Sequence, residues 1–162
     1  MPIRAYLLRR LLFGLLLGLL PAWTLAAEPA IAVIVGPAAP AIGYDHRTLR
    51  DVFLKRIVVD HAGAAVAPLN LPAADPLRQA FSYALWGQSP EAKQHYWNER
   101  YFNGITPPYV VRSQEAMLRF VAETPGAIGY VAACLVDGRV TEVARLPVPV
   151  EWAAQVKGPC PN

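Results

Sequence analysis

An apolar run near the N-terminus, residues 11–20, most constrains what this chain can fold into. Three arginines precede the run and small residues follow it up to Glu28, which is the order of a cleavable secretory signal peptide. The run is about half of the ~20 residues needed to span a bilayer, which argues against the alternative of an uncleaved membrane anchor. We therefore expect residues 1–27 to be removed on export, which leaves about 135 residues to fold.

The expected mature chain carries no net charge. The full sequence has 15 Lys and Arg against 12 Asp and Glu, and three of the basic residues lie in the segment to be cleaved, so 12 of each sign remain. This balance argues against nucleic acid as a partner. The length supports one core, so we expect one α/β domain over 28–146 and a Pro-rich C-terminal tail over 147–162, not embedded in a membrane.

Strand and helix signals alternate along the chain and predict its fold class. β-rich runs occur at 31–35, 56–59, 66–71, 127–131 and 139–146. Helix starts follow Asp45, Asp75, Ser89 and Ser113, whose side chains can accept from the first free backbone N–H groups. Turn-forming residues at 60–63 and at 137–138 predict that the runs beside them pair as antiparallel hairpins. Returns through helices permit parallel neighbours too, so we expect a mixed sheet with helices packed on it.

The sequence offers no motif for catalysis or metal binding. His46, His61 and His95 lack metal-ligand spacing and are expected to be solvated. No Gly-x-Ser-x-Gly elbow, His-Glu-x-x-His helix or Gly-rich phosphate loop is present. We therefore predict a protein that is not an enzyme, with no catalytic residue, no metal and no cofactor.

The helix start at Asp75 is the main candidate for binding an anion. A helix N-terminus presents unpaired N–H groups, and Arg78, one turn further on, has a guanidinium suited to phosphate or carboxylate. Asp75 itself is negative and can take the free N–H groups. Two interpretations stay open: a ligand site that includes Arg78 and Asp75, or a plain helix cap.

Two cysteines, Cys134 and Cys160, remain in the expected mature chain. Export would place them where disulfides persist. A bridge between them would close a loop of about 27 residues and stabilise the fold by about 3–4 kcal/mol, while tying the tail to the domain. The alternative is two unpaired thiols.

Aromatic residues are concentrated in the middle of the chain, at Trp86, Tyr96, Trp97, Tyr101, Phe102 and Tyr109. Aromatic residues at helical spacing usually belong to a core. Those in the expected loop from 101 to 109 are instead candidates for a pocket or a partner surface, and we assign Tyr101 and Tyr109 to that surface.

Several short motifs together carry a family resemblance. They are Leu49-Arg50-Asp51-Val52-Phe53-Leu54-Lys55, Pro68-Leu69-Asn70, Asp75-Pro76-Leu77-Arg78-Gln79-Ala80-Phe81, Tyr96-Trp97, Phe102-Asn103-Gly104 and Pro125-Gly126-Ala127-Ile128-Gly129-Tyr130-Val131. In this order they resemble short, single-lobe relatives of the phosphate-binding proteins of ABC importers, in the type 2 periplasmic binding protein superfamily. The resemblance implies an α/β fold of one such lobe, located in the periplasm, that binds phosphate or another small anion for an importer.

Two loops depart from the pattern of that family. Full-length relatives hold phosphate between two lobes with hydroxyl-bearing loops, whereas the matching positions here read Gly36-Pro37-Ala38-Ala39-Pro40 and Ala74-Asp75-Pro76-Leu77. Only Arg78 matches as an anion ligand. The alternative function is therefore a non-transport interaction module that has kept the fold, lost the ligand and docks onto an envelope protein.

Overall fold

The computed structural model describes residues 28–157 together with Cys160, so the predicted signal peptide lies outside the described residues. One sheet has the strand order β3-β2-β4-β1-β5. The strands are β1 Ala30–Val35, β2 Ala67–Asn70, β3 Tyr109–Val110, β4 Ala127–Ala132 and β5 Thr141–Pro147. β2 is parallel to β3 and β4, whereas β1 is antiparallel to β4 and β5. The mixed sheet expected from the sequence is confirmed.

The helices begin where local capping chemistry predicts. They are α1 His46–Phe53, α2 Pro76–Trp86, α3 Gln94–Phe102, α4 Gln114–Glu123 and α5 Ala153–Lys157. The side chains of Asp45, Asp75 and Ser113 accept hydrogen bonds from backbone N–H groups in the first turns of α1, α2 and α4. After Ser89 a 3-10 turn, Glu91–Lys93, comes first and α3 begins behind it. Ser89 Oγ accepts from the Ala92 backbone N–H at 3.4 Å, so Ser89 caps this turn, whereas the other three predicted caps stand directly at the starts of α-helices.

Helices cover both faces of the sheet. On one face Phe81 of α2 and Phe53 of α1 pack on Tyr130 of β4, with ring centroids 3.7 and 5.9 Å from that of Tyr130. The preceding residue, Gly129, faces the opposite side because neighbours along a strand alternate, and Met117 of α4 lies against it. These side chains are almost fully buried, so the core consists of the two layers on either side of β4.

The predicted hairpin over 56–71 is reduced to one antiparallel bridge, and the predicted hairpin over 127–146 does not form. In the described residues 56–59 form no strand: Val59 makes one isolated bridge to Ala65, and β2 pairs in parallel instead. β4 and β5 do not pair with each other, because β1 lies between them. From Ile31 to Val35 every residue of β1 is buried, and a strand that is apolar on both faces is best satisfied inside a sheet rather than at its edge.

The segment after β5, predicted as a Pro-rich tail, packs back onto the domain. A 3-10 turn, Val150–Trp152, leads into α5, and both lie against α2. Val156 of α5 is buried, with 2% of its surface exposed. A disulfide joins Cys134 to Cys160, whose Cα atoms are 5.7 Å apart. The bridge therefore connects the end of this segment to the residues that follow β4.

Candidate functional site

The candidate site lies at the carboxyl ends of the parallel strands β2, β3 and β4, and this end of the sheet is called its carboxyl edge below. β2 ends at Asn70, and α2 begins close behind it at Pro76. α4 begins close behind the end of β3, and its Gln114 Oε1 accepts a hydrogen bond from the backbone N–H of Ala132, the last residue of β4, at 2.7 Å. In open α/β sheets ligands bind outside the carboxyl ends of parallel strands, so this edge is where a ligand would be expected.

A buried polar cluster stands at this edge. Asn70 Oδ1 accepts from Arg78 Nη1 and from the Tyr130 hydroxyl, the latter at 3.4 Å. The Tyr130 hydroxyl in turn accepts from the backbone N–H of Leu71 at 3.1 Å. Only 8% of Arg78 and 5% of Asn70 is exposed, and Tyr130 is fully buried. The end of β2, the first turn of α2 and the middle of β4 are thus joined by one hydrogen-bonded group.

Arg78 brings a positive charge into the cluster. Burial raises the pKa of the Tyr130 hydroxyl, and the nearby Arg78 charge acts in the opposite direction. Among the ion pairs of the described residues, none includes Arg78. The Arg78 charge also helps to lower the pKa of Glu91, and the negative charge of Asp75 acts on the same Tyr130 hydroxyl, so two carboxylates lie near the guanidinium without pairing with it. A buried guanidinium with no carboxylate in direct contact still favours an anion that can approach it.

Asp75 occupies the N-terminus of α2 itself. Its Oδ1 accepts from the backbone N–H groups of Leu77 at 2.8 Å and Arg78 at 3.4 Å. The helix N–H groups that would otherwise face an anion are therefore bonded to a carboxylate. Arg78 and Asp75, the two predicted ligand residues, lie at the same edge, but Nη1 of Arg78 is directed to Asn70 while Asp75 caps the helix.

The two residues predicted for a partner surface lie on different elements. Tyr101, 67% exposed, is in the last turn of α3. The helix continues to Phe102, whereas a loop was expected from residue 101 onward. Tyr109, 66% exposed, is on edge strand β3 and stacks on Phe120 of α4 with ring centroids 5.7 Å apart. No aromatic contact joins Tyr101 to Tyr109 within the described residues.

Sequence reasoning did not identify Asn70, Gln114 or Tyr130 as part of the candidate site. Asn70 and Tyr130 were detectable in retrospect as polar groups where an apolar one would serve: Asn70 ends the apolar run of β2, and Tyr130 interrupts the apolar run of β4. A hydroxyl or amide placed in such a run needs a hydrogen-bond partner when buried, so it marks a polar contact inside the fold.

Neither a metal cluster nor a membrane-spanning helix is found among residues 28–157 and Cys160. Within them no three His, Cys, Asp or Glu side chains come together to hold a metal ion. Of the helices described, none combines the length and the apolar content needed to cross a bilayer. His46 contacts the Ala84 carbonyl oxygen through Nε2 at 3.1 Å, and His95 lies 3.7 Å from a Glu99 oxygen, so these two histidines sit in unrelated surroundings.

Solved structures share this fold. A protein from Clostridium perfringens, described as a phosphate ABC transporter substrate-binding protein with bound phosphate, superposes with a TM-score of 0.58 and 17% identity over 72% of this chain and 45% of its own. An ABC-type phosphate transport receptor from Vibrio cholerae gives a TM-score of 0.53 and 15% identity over 82% of this chain and 65% of its own. The fold is that of one lobe of such a binding protein. The chain thus spans less than two thirds of either structure.

At these identities the likeness concerns the fold alone. No protein-family model matches the sequence, and a search of the curated proteins finds no match. The single-lobe fold expected from the short motifs is confirmed. Both neighbours are described as transport proteins and not as enzymes.

Proposed function

We propose that this chain is a non-enzymatic, substrate-binding-protein-like domain of the periplasm that receives a small oxyanion, such as phosphate, beside Arg78. The N-terminal apolar run supports export, and the fold supports a binding role. The observation that carries the proposal is the burial of Arg78. Only 8% of this residue is exposed, its guanidinium donates to Asn70, and none of the ion pairs among the described residues includes it.

The position of Arg78 fits an anion that approaches the carboxyl edge of β2 and β4. A guanidinium has five N–H donors, and the bond to Asn70 orients the group while using one of them. An oxyanion seated there would neutralise the buried charge and take donors that the protein leaves available. Asp75 opposes this binding, because its carboxylate adds a like charge beside the ligand. We therefore expect weak binding by this domain on its own.

Calorimetric titration with phosphate and with other oxyanions tests the proposal. Asp75→Ser removes the negative charge and keeps a capping hydroxyl, so it should tighten phosphate binding about tenfold or more. Arg78→Gln should abolish binding, and circular dichroism on the same samples shows whether that variant is folded. Arg112→Gln, which alters an exposed arginine after β3, is the matched control and should bind like the wild type.

The anion site is rejected if neither the wild type nor Asp75→Ser gives a heat of binding at about 10 mM anion. A dissociation constant above that concentration corresponds to a binding free energy of less than about 3 kcal/mol. Equal loss in Arg78→Gln and Arg112→Gln would also reject it, because the effect would then be one of general charge.

A second candidate function is a non-transport interaction module. The exposure of Tyr101 and Tyr109 favours it, since aromatic side chains are enriched in protein interfaces. Capture of one envelope protein by the wild type, and its loss in the Tyr101→Ala, Tyr109→Ala double variant, would support this function. Capture that is unchanged in the double variant would contradict it.

A further inference from the structure

The end of α3 projects two aromatic side chains into solvent. Phe102 is 88% exposed and Tyr101 is 67% exposed, and α3 contributes no fully buried residue to the core. Large aromatic side chains usually lose most of their exposed surface in a folded domain. Two of them side by side at a helix end therefore form a protruding apolar feature.

Basic residues lie at the same end of α3 as these aromatic side chains. Arg100, in the same turn of α3, donates through Nη2 to the Lys55 carbonyl oxygen at 3.2 Å. The guanidinium carbons of Arg56 and Arg100 lie 5.8 and 5.9 Å from the centroid of the Tyr96 ring, which brings the two arginines to one aromatic side chain. The hydroxyl of Tyr96 donates to the Leu54 carbonyl oxygen at 2.7 Å and so holds α3 against the segment that follows α1. We call Lys55, Arg56, Arg100, Tyr101 and Phe102 together the α3 tip.

The α3 tip carries excess positive charge. Asp51 pairs with Arg56 at 3.2 Å, and Glu99 faces His95 rather than the tip cations. Lys93, one turn before Tyr96, extends the basic surface. Its pKa is lowered first by desolvation and then by the positive charges of Arg50 and Arg56. Cations therefore outnumber carboxylates along the seam between α1 and α3.

We propose that the α3 tip docks onto the surface of an anionic phospholipid bilayer. Aromatic side chains partition to the headgroup level of a bilayer, and each basic side chain at an anionic surface adds to the attraction. The excess of cations over carboxylates at the tip complements an anionic lipid surface. Binding to a bilayer surface scales with the apolar area that is buried plus the attraction to anionic lipids, and the α3 tip supplies both contributions.

Co-sedimentation with vesicles tests the proposal, using protein purified after export with its N-terminus determined by mass spectrometry. The probe is phosphatidylcholine vesicles with and without about 30% phosphatidylglycerol. We expect binding to the anionic vesicles and its loss at high salt. The Lys55→Asn, Arg56→Gln double variant should bind about 25-fold more weakly, since each cation at the surface contributes about fivefold. Asparagine suits position 55 because the backbone there has a positive φ of 52°.

Phe102→Ser should also weaken binding, about tenfold, through the lost apolar insertion. The matched controls are Arg112→Gln for charge and Val150→Ser for apolar exposure, since Val150 is 89% exposed on a different element. All variants share one N-terminus, so a difference in vesicle binding between a tip variant and its control comes from the substituted tip residues. Equal binding to neutral and anionic vesicles, no binding, or equal losses in the controls would each overturn the proposal. Capture of a protein partner without vesicle binding would do so as well and would favour the interaction module.

Discussion

Tyr130 and Phe81 lie face to face in the core, with ring centroids 3.7 Å apart and planes inclined by 7°. The stack holds α2 over β4, and the hydroxyl of the same tyrosine reaches Asn70 and the backbone N–H of Leu71. One side chain therefore packs the helix and orders the end of β2, where the candidate site begins. Packing and site geometry are coupled through Tyr130.

Tyr130→Phe separates these two roles. The aromatic stack is kept, but the buried Leu71 N–H loses its acceptor, which should lower the free energy of unfolding by about 1–3 kcal/mol. Urea denaturation measures the change. Tyr83→Phe, on the partly exposed side of α2, is the control and should lie within about 0.5 kcal/mol of the wild type. An unchanged stability for Tyr130→Phe would mean that water replaces the lost hydroxyl.

Gly129→Ala tests the packing on the opposite face of β4. A Cβ at this position would collide with Met117 Sδ and press on Val121, so α4 must shift or the methionine must leave its rotamer. We expect a loss of about 1–3 kcal/mol in the free energy of unfolding. Gly138→Ala is the control, because a Cβ there meets no atom within 4 Å. A Met117→Ala, Gly129→Ala double variant should lose less free energy of unfolding than the sum of the losses in the two single variants. Strictly additive losses would contradict the contact between position 129 and Met117.

The helices could be predicted from the sequence better than the strand pairing. Asp45, Asp75 and Ser113 cap their own helices through hydrogen bonds to residues two or three positions away, so a short window of sequence contains the whole interaction. Strand partners are instead chosen by the sheet as a whole. The turn at 137–138 is real as a turn, but β1, from the start of the described chain, inserts between β4 and β5.

The ion pair between Glu142 and Arg145 shows the same limit on a smaller scale. Residues three apart on a regular strand face opposite sides, yet these two side chains are 2.6 Å apart. The register of β5 shifts opposite Val33 and Ile34, so one extra residue there restores both side chains to one face. Such a bulge depends on the pairing with β1 and leaves no local signal in the sequence.

The candidate site was only half predictable for a related reason. Arg78 and Asp75 stand out because a helix start and a cation lie close in sequence. The partner of Arg78 is Asn70, and that of Asn70 is Tyr130, which is 60 residues further along the chain. Only the folded sheet brings β2 beside β4.

Removal of the disulfide should show how much the C-terminal segment contributes to stability. The Cys134→Ser, Cys160→Ser variant loses a link between residues 26 apart, which should cost about 3–4 kcal/mol in the free energy of unfolding. Urea denaturation of the wild type with and without reductant should give a difference of the same size. If the variant and the reduced wild type both match the oxidised protein, the bridge does not constrain the unfolded chain.

Acid should destabilise the fold partly through the cluster of Glu115, Asp137 and Arg139. Arg139 donates to Glu115 at 2.8 Å and to Asp137 at 2.7 Å, and these bonds lower the pKa of both carboxyl groups below their ordinary values. Groups with a lowered folded-state pKa stabilise the protein above the unfolded-state pKa of about 4, and that contribution is lost as the pH falls through the folded-state pKa.

Arg139→Gln should therefore reduce, without abolishing, the fall in the free energy of unfolding between about pH 6 and pH 2, because other carboxylates such as Asp45 also have a lowered pKa. Urea denaturation across this pH range measures the effect. Arg112→Gln should follow the wild-type curve. If the curve of Arg139→Gln runs parallel to that of the wild type, these hydrogen bonds do not persist in solution. Bonds to the ionised carboxylates would lower their pKa in the folded state, so the unfolded chain would bind protons at a higher pH than the folded protein and the two curves would diverge.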